Sequence, residues 1–419
     1  MRRILTPLPF VRRPCRAAAR WCARGLAFVA VAGCPLLAQR SLTLDEVLAQ
    51  ALGASPDLRT AWLRADSAHA EQRIARALPV LALATIPAVP FQYSATVPLD
   101  IGPERIFRTR VAARGLDAAL ADTADTRRQV VFAARQGFYD ILLGEALRDI
   151  AREQRDILRQ LLAADSVRLR TGDVPARDVT KSEVELARAE ADLTRTDAQV
   201  HAAKLSLQLL MGSEHPDTLF SVSGRLAYRA VDVPVDSLGV LAELGRADIV
   251  AAHERTEQSR AALSLANASL VPTPLASLVY QRGLPFDNGS NYAVGIGISM
   301  PLFSWSAGER ERGRAGLESA RVAERRTHAQ VANDVQTALD AYRAARALAE
   351  RYEGGLVAKS EAALETARYA YRTGAASLLE LIEAIRTYAA IRSDQANAVH
   401  DYWVGVYALS RATGRDLVP

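Results

Sequence analysis

The sequence predicts a mainly α-helical protein with a small β part. Two segments, at about 109–170 and 308–372, contain no proline and little glycine. At 1.5 Å per residue, about 60 helical residues span about 90 Å, which is longer than an ordinary globular core requires. Short stretches in which large and small side chains alternate with period two account for the β part.

An internal repeat supports this fold class and divides the chain into two similar halves. Arg170-Thr171-Gly172 recurs as Arg372-Thr373-Gly374, and Met211-Gly212 recurs as Thr413-Gly414, both 202 positions later. We predict a signal peptide at 1–38, a first repeat at 39–212, a linker or small side element at 213–236, and a second repeat at 237–419. Each repeat should contain a helix, a β-hairpin and a long helical hairpin.

The first 38 residues have the composition of a secretory signal peptide. Seven arginines and no acidic residue accompany an apolar run at 26–33, which is too short to span a bilayer; a membrane anchor is the alternative. Cleavage after Ala38 would place a small residue at the cut. Alternatively, Val31-Ala32-Gly33-Cys34 resembles a lipobox in which Cys34 would be lipidated.

Export changes what charge and cysteine content imply. Removal of 1–38 leaves 45 basic against 47 acidic residues, so the high isoelectric point gives no indication of nucleic-acid binding. Cys15, Cys22 and Cys34 all lie in or beside the signal segment. A chain cut after Ala38 would therefore have no disulfide or thiol chemistry.

A helix is expected at the start of each repeat, at about 42–78 and 237–270. Thr43, with Glu46 three residues later, has the pattern of a capping box. Pro56 should bend or break the first of these helices.

Strand patterns follow each starting helix. In the second half, large apolar residues alternate with small ones: Tyr292, Val294, Ile296, Ile298 and Met300 against Ala293, Gly295, Gly297 and Ser299. The segment 275–281 precedes them, and we interpret the turn-rich stretch 283–290 as a hairpin loop. In the first half, 81–85 and 91–97 are weaker candidates, because Pro87, Pro90 and Pro98 lie among them.

The return helix of each hairpin carries a seven-residue period that indicates a coiled coil. The two seam positions of the first half are Val179, Leu186, Leu193, Val200 and Leu207, and Ser182, Ala189, Thr196, Ala203 and Leu210. The second half keeps the period with Leu381, Ile385, Tyr388, Val399, Tyr402, Val406 and Leu409. Arg392 and Gln395 interrupt its apolar character.

These motifs, in this order and in duplicate, resemble the TolC family of outer-membrane efflux proteins. Within it, the chain is similar to the heavy-metal and multidrug branch that serves resistance-nodulation-division (RND) pumps. The motifs are the opening helix at 41–52 with Ser55-Pro56, the strand-to-helix junctions at 99–102 (with Arg105, Arg108 and Arg110) and at 298–303 (with Gly308-Glu309), and the hairpin turn Arg372-Thr373-Gly374 with 377–380. The resemblance covers nearly everything after the signal segment.

The resemblance implies a homotrimer in the outer membrane of a Gram-negative-type bacterium, with a large periplasmic part. Four strands per protomer would form a closed barrel of twelve, because a bilayer accepts only helices or closed barrels. Two helical hairpins per protomer would form a periplasmic tunnel. Tyr292, Val294, Ile296, Ile298 and Met300 would then face the outer-membrane lipid.

The resemblance also implies partners and a gate. The hairpin tips would contact a periplasmic adaptor (membrane fusion) protein that joins the duct to an inner-membrane RND pump; the tip residues are Arg170, Thr171, Gly172, Asp173, Arg372, Thr373, Gly374 and Ser377. Glu380 and Glu383 share a helix face and align with the acidic ring of the periplasmic entrance, where they would form a gate and cation filter. Their first-half counterparts, Asp178 and Lys181, break the acidic pair.

No motif in the sequence indicates an enzyme or a cofactor. The six histidines include no pair at the i, i+4 spacing of a helical metal site, so surface or interfacial positions are the better interpretation. There is no phosphate-binding glycine loop and no nucleophile motif. We predict a passive exit duct for metal ions or drugs. A duct for type I protein secretion and a periplasmic coiled-coil scaffold without a pore are the alternatives.

Overall fold

The computed structural model describes residues 40–87, 91–284, 287–299 and 305–417. The predicted signal peptide, the possible lipidation at Cys34 and the lipid-facing Met300 lie outside these residues. The segment Arg40–Pro419 forms one compact unit.

The elements of the two halves follow each other in the same order. The first half contains β1 (Arg40–Leu42), α1 (Leu44–Ala54), α2 (Pro56–Arg76), β2 (Ala82–Ile86), β3 (Phe91–Pro98), α3 (Pro103–Thr171) and α4 (Ala176–Leu210). After β4 (Phe220–Val222) come α5 (Leu238–Gly245), α6 (Ala247–Ala268), β5 (Thr273–Leu284), β6 (Asp287–Ser299), α7 (Trp305–Arg351), α8 (Val357–Arg372) and α9 (Leu378–Thr413).

The starting helix is broken in both halves. In the first, Thr43 and Glu46 form the predicted capping box, and the chain breaks at Pro56 as predicted. In the second, the prediction of one continuous helix at 237–270 is wrong, because Arg246 adopts an extended conformation between α5 and α6. The Arg246 side chain, 5% exposed, donates to Asp248 (2.6 Å) and Asp334 (3.0 Å), so one local and one long-range ion pair stabilise this break.

Two repeat-related glycines lie against the breaks in the two starting helices. Gly212 follows α4 with φ +76°, and Gly414 follows α9 with φ +70°. A Cβ at Gly212 would lie 2.2 Å from the Ala54 carbonyl oxygen, and a Cβ at Gly414 would lie 2.6 Å from that of Gly245. Each return helix therefore ends in a left-handed turn packed against the broken helix of its own half.

The strands of both halves form one antiparallel sheet in the order β2-β3-β5-β6. The first-half strands form despite the nearby prolines, and Pro98 is the last residue of β3. The interpretation of 283–290 as a loop is wrong: Arg282 pairs with Ser290 and Leu284 with Asp287. A register irregularity between Arg282 and Leu284 lets the polar, glycine-containing ends of these strands stay paired.

The four helices that flank the strands in the chain pack side by side in the order α2-α3-α6-α7, which parallels the strand order β2-β3-β5-β6. α3 packs between α2 and α6, and α6 packs between α3 and α7. Farther along the chain, α3 packs against α4 and α9, and α9 packs against α7 and α8. Within the described residues, β2 and β6 are therefore the open edges of the sheet, and α2 and α7 lie beside them.

The two long helices differ. α3 is continuous over 69 residues, about 100 Å. The prediction of a second continuous helix at 308–372 is wrong, because a π-helical turn, Tyr352–Leu356, separates α7 from α8. Gly355 has φ +97° there, a backbone conformation that residues with a Cβ atom rarely adopt. The positions 202 residues earlier than Gly354 and Gly355 are Arg152 and Glu153, which continue the helix.

The predicted seams are buried. All ten seam positions of α4 are buried or partly buried, and all seven positions predicted for α9 are buried. The segment 213–236 contributes β4, which pairs in parallel with β1. It then packs on α9, where Tyr402 Oη donates to the Arg229 carbonyl (2.9 Å) and Trp403 Nε1 donates to that of Ala227 (3.0 Å).

Among the described residues, none of the helices combines the length and apolar character needed to cross a bilayer.

Candidate functional site

The four-stranded sheet has two chemically different faces. Directly opposed residues share a face, and the register aligns Leu83, Ala95, Leu278 and Val294 in one row. This face also carries Tyr292, Ile296 and Ile298, and its side chains are well exposed, 82% for Val294 and 84% for Ile296. The opposite face is mainly small or polar: Gln92, Ser94, Thr96, Ser277, Gly295, Gly297 and Ser299. A sheet with one exposed apolar face and one small, polar face is typical of membrane barrels.

An aromatic row crosses the apolar face at the end of the sheet distant from the helices. Tyr93, Tyr280 and Tyr292 are register partners, with ring centroids separated by 6.1 and 5.1 Å. Phe91 packs on Tyr93 at 5.0 Å. Rows of amphipathic rings mark membrane–water boundaries. Sequence analysis missed this row, because strand register is needed to align residues from three strands.

The two hairpin tips have the same local structure. Gly172 (φ +81°) and Gly374 (φ +74°) end α3 and α8 in left-handed turns. The N–H of Asp173 donates to the Arg168 carbonyl, and the N–H of Ala375, 202 positions later, donates to that of Ala370, both at 2.8 Å. The predicted tip residues at 170–173 and 372–374, and Ser377, are all exposed. The turns thus hold Arg170 and Arg372 at the helix ends.

The predicted gate acids lie at the start of α9. Glu380 and Glu383 are both exposed on the first two turns of this helix. Ser377 caps α9 by accepting from the Glu380 N–H (3.3 Å), and its hydroxyl donates to the Glu380 carboxylate (3.0 Å). Arg386, one turn after Glu383, donates to Glu185 on α4 (2.6 Å). Glu380 therefore combines a capping role with its place near the tip.

Asp178 and Lys181, the first-half counterparts of Glu380 and Glu383, do not form an acidic pair. Asp178 lies 3.9 Å from Lys181 and 3.7 Å from Arg177, so cations flank the acid. Only the second hairpin therefore presents an exposed carboxylate pair at these positions.

A buried carboxylate links the two hairpins near their tips. Asp165 on α3 is fully buried and accepts from Ser182 Oγ on α4 (2.8 Å) and from Tyr371 Oη on α8 (2.6 Å). Burial, and then the hydrogen bond to Asp165, raise the pKa of Tyr371, so its hydroxyl stays a donor. Apolar residues surround this contact, among them Leu161, Leu378 and Leu381. Sequence analysis missed Asp165, because no local pattern distinguishes it from the many helical acids.

A histidine also joins the halves farther from the tips. His400 on α9, 12% exposed, lies 2.8 Å from Asp140 on α3 and 3.0 Å from Asp401. Burial lowers the pKa of His400, but its contacts with the two carboxylates outweigh burial and raise the pKa above its ordinary value. The protonated form is therefore favoured in the folded chain.

We expect His400→Gln to reduce stability at acidic pH. A raised folded pKa gives stabilisation that is fully present below the unfolded pKa and is lost as pH rises through the folded value. The substitution should cost about 1 kcal/mol at a pH below the ordinary histidine pKa and much less at alkaline pH. Melting temperatures of variant and native protein across this range provide the measurement, and a difference independent of pH would contradict it.

Two other histidines form hydrogen bonds with glutamates of neighbouring helices. His253 on α6 lies 3.0 Å from Glu324, and His328 on α7 lies 3.0 Å from Glu243. Within 40–417, excluding the undescribed gaps, no group of three or more His, Cys, Asp or Glu side chains is placed to hold a metal ion.

Comparison with known proteins agrees with this architecture. The family model described as "Outer membrane efflux protein" matches residues 84–213 and 238–415. The chain is 25% identical over 395 residues to the cobalt-zinc-cadmium resistance protein CzcC of Cupriavidus metallidurans, covering 91% of this chain and 92% of that protein.

Solved structures show the same fold. The Campylobacter jejuni CmeC outer membrane channel has a TM-score of 0.79 at 15% identity, covering 88% of this chain and 85% of that chain. The open state of the Neisseria gonorrhoeae MtrE outer membrane channel has a TM-score of 0.75 at 18% identity, covering 89% of each chain.

Proposed function

Because the chain belongs to the outer membrane efflux protein family, we propose that it is the passive exit duct of a tripartite pump for metal ions. The family membership confirms the sequence-based predictions of an outer-membrane efflux channel and of a protein that is not an enzyme. The predicted fold class, with long helical hairpins and a small sheet, is also confirmed. The name of the relative CzcC, a cobalt-zinc-cadmium resistance protein, supports metal ions rather than drugs as cargo.

The open-edged sheet with unlike faces is the observation that carries this proposal. Unpaired edge groups cannot remain in a bilayer, and four strands cannot close a barrel alone. β2 and β6 run in opposite directions, so β2 of one copy can continue the antiparallel pairing with β6 of the next. Three copies would close a barrel of twelve strands, with the row of Leu83, Leu278 and Val294 facing lipid and the small residues facing the lumen.

The internal repeat supports the same ring. Tyr407 and Arg411 of α9 pack on α3, at Tyr139 and Phe132 respectively. Their counterparts 202 positions earlier on α4, Leu205 and Leu209, are 40% and 65% exposed in the single chain. By analogy, these leucines would pack on α7 of the neighbouring copy, since α7 is the repeat partner of α3. Burying them would contribute to trimer formation.

A barrel in the outer membrane with its helical hairpins in the periplasm implies two kinds of protein partner. The exposed tips would dock on a periplasmic adaptor protein, which would join the duct to an inner-membrane RND pump. Cargo would pass through without covalent chemistry, and Glu380 and Glu383 would ring the periplasmic mouth. Three copies of an exposed carboxylate pair in a narrow opening favour cations over anions.

Neutralising the mouth tests this function. We expect Glu380→Gln with Glu383→Gln to reduce cation selectivity several-fold and to weaken block by multivalent cations in planar-bilayer recordings. Glutamine keeps a hydrogen-bonding group for Ser377 and so separates the charge from the helix cap. Glu361→Gln, which removes an exposed acid of α8 eleven residues, or about 16 Å, before the tip at Arg372, is the matched control. Unchanged selectivity of the double variant would refute the gate assignment. Absence of channel activity from the native protein would refute the duct.

A further inference from the structure

A cavity of about 250 Å³ between α3 and α9 is lined by five arginines. Arg127, Arg128 and Arg135 come from α3, Arg411 comes from the last turn of α9, and Arg415 follows the turn at Gly414. The cavity thus joins the two halves of the duplication, near the turn at Gly414.

Acidic side chains neutralise only part of this charge. Arg128 pairs with Asp125, and Arg135 donates to both carboxylate oxygens of Asp416 (2.7 and 2.5 Å). Arg127, Arg411 and Arg415 form no ion pair with any residue that the structure describes. Three guanidinium groups without an ion pair among the described residues therefore lie around one concave surface.

Two further observations favour an anion as the ligand of this cavity. The Nε of Arg135 is buried and has no hydrogen-bond partner among the described residues, although its two terminal nitrogens are bonded. Arg411 stacks on Phe132 at 4.2 Å, and burial followed by repulsion from Arg128 lowers its pKa. A buried donor without a partner, and like charges held together, each cost free energy that a bound anion would offset.

We propose that this cavity binds an oxyanion, a phosphate or carboxylate group, held by Arg127, Arg411 and Arg415. Planar guanidinium groups match the oxygens of these anions and bind them through charge-assisted hydrogen bonds. The cavity is large enough for an inorganic phosphate or a small carboxylate such as citrate.

The position of the cavity limits the source of the anion. Arg127 lies 24 residues after Pro103, about 36 Å along α3 from the sheet, which is beyond the reach of a lipid headgroup. α3 and α9 also lie away from the β2 and β6 edges, so ring closure would leave the cavity open. The ligand is therefore a soluble periplasmic oxyanion. The periplasmic location rests on the proposed function; the binding chemistry does not.

The repeat shows that the fold itself does not require these arginines. The positions 202 residues before Arg411 and Arg415 are Leu209 and Ser213. The corresponding turn of the first half therefore forms without a basic cluster.

Thermal unfolding of the purified full-length trimer tests the proposal. We expect inorganic phosphate or citrate, titrated at constant ionic strength against sodium chloride, to raise the melting temperature saturably. Arg127→Gln and Arg411→Gln should each weaken apparent affinity at least ten-fold. Arg229→Gln, which removes an exposed arginine outside the cavity, should leave the affinity unchanged.

Comparing phosphate with citrate identifies the preferred oxyanion, and a response to either supports the site. A response equal to that of chloride, or one retained in both cavity variants, would overturn the proposal. Because the Arg127 side chain is exposed and makes no ion pair with the residues at 40–417 that the structure describes, Arg127→Gln gives a result even if Arg411→Gln destabilises the trimer.

Discussion

Reversing the charge of both hairpin tips, Arg170→Glu with Arg372→Glu, is expected to abolish pump-dependent resistance while trimers still assemble. Both arginines are exposed at the ends of long helices, beside glycines that fix the turns. A tip-to-adaptor contact would place these cations at its centre, where like-charge contacts cost several kcal/mol. The folded chain should lose little stability, because an unfavourable charge at an exposed helix C-terminus costs about 0.3–1 kcal/mol of folding free energy.

The measurement is metal or drug resistance of a strain that carries the complete pump, together with co-purification of the adaptor. Arg170→Lys with Arg372→Lys keeps the charges and should retain resistance. Arg229→Glu reverses an exposed arginine outside the tips and should also have no effect. Normal resistance in the tip double variant, with the protein present at native levels, would remove the docking assignment.

Replacing Asp165 with alanine is expected to cause the largest loss of stability, about 3 kcal/mol. The substitution leaves the buried hydroxyls of Ser182 and Tyr371 without their acceptor and opens a cavity among the packed leucines. These contacts join α3, α4 and α8, so the two hairpins should separate more easily near the mouth. Channel recordings of Asp165→Ala should therefore show larger or more frequent openings than those of the native protein.

A double-mutant cycle with Tyr371→Phe isolates this link. The two substitutions should be less than additive in the free energy of unfolding, because they remove the same hydrogen bond. Asp197→Ala, on the partly exposed face of α4, should change stability by no more than about 0.5 kcal/mol. If Asp165→Ala lowered the free energy of unfolding no more than Asp197→Ala, the buried carboxylate would not hold the hairpins together.

Local sequence patterns were sufficient wherever backbone conformation depends on near neighbours. The capping box at Thr43, the break at Pro56, and the positive-φ turns at Gly172 and Gly374 were all predictable, because each depends on residues within one helical turn. The heptad of α4 and the alternation of β6 were predictable for the same reason.

Two of the three sequence-based errors occurred where distant residues contribute to the conformation. At the end of α5, the Arg246 side chain pairs with Asp334, 88 positions later, as well as with the nearby Asp248. The pairing of 287–290 with the end of β5 depends on the register of the whole hairpin rather than on turn propensity. The double glycine at 354–355 was visible in the sequence, but its interruption of the helix was not predicted, since glycine alone only weakens a helix.

The sequence by itself determined the duplication, the length of the first long helix, the unlike faces of the final strand and the shape of both tips. Only the tertiary structure decided which parts of the two halves meet: β3 beside β5, Asp165 beneath Tyr371 and five arginines around one cavity. The physical reason is that periodicity and turn propensity act over a few residues. The contact between Asp165 and Tyr371, by contrast, joins residues 206 positions apart and depends on how whole helices pack.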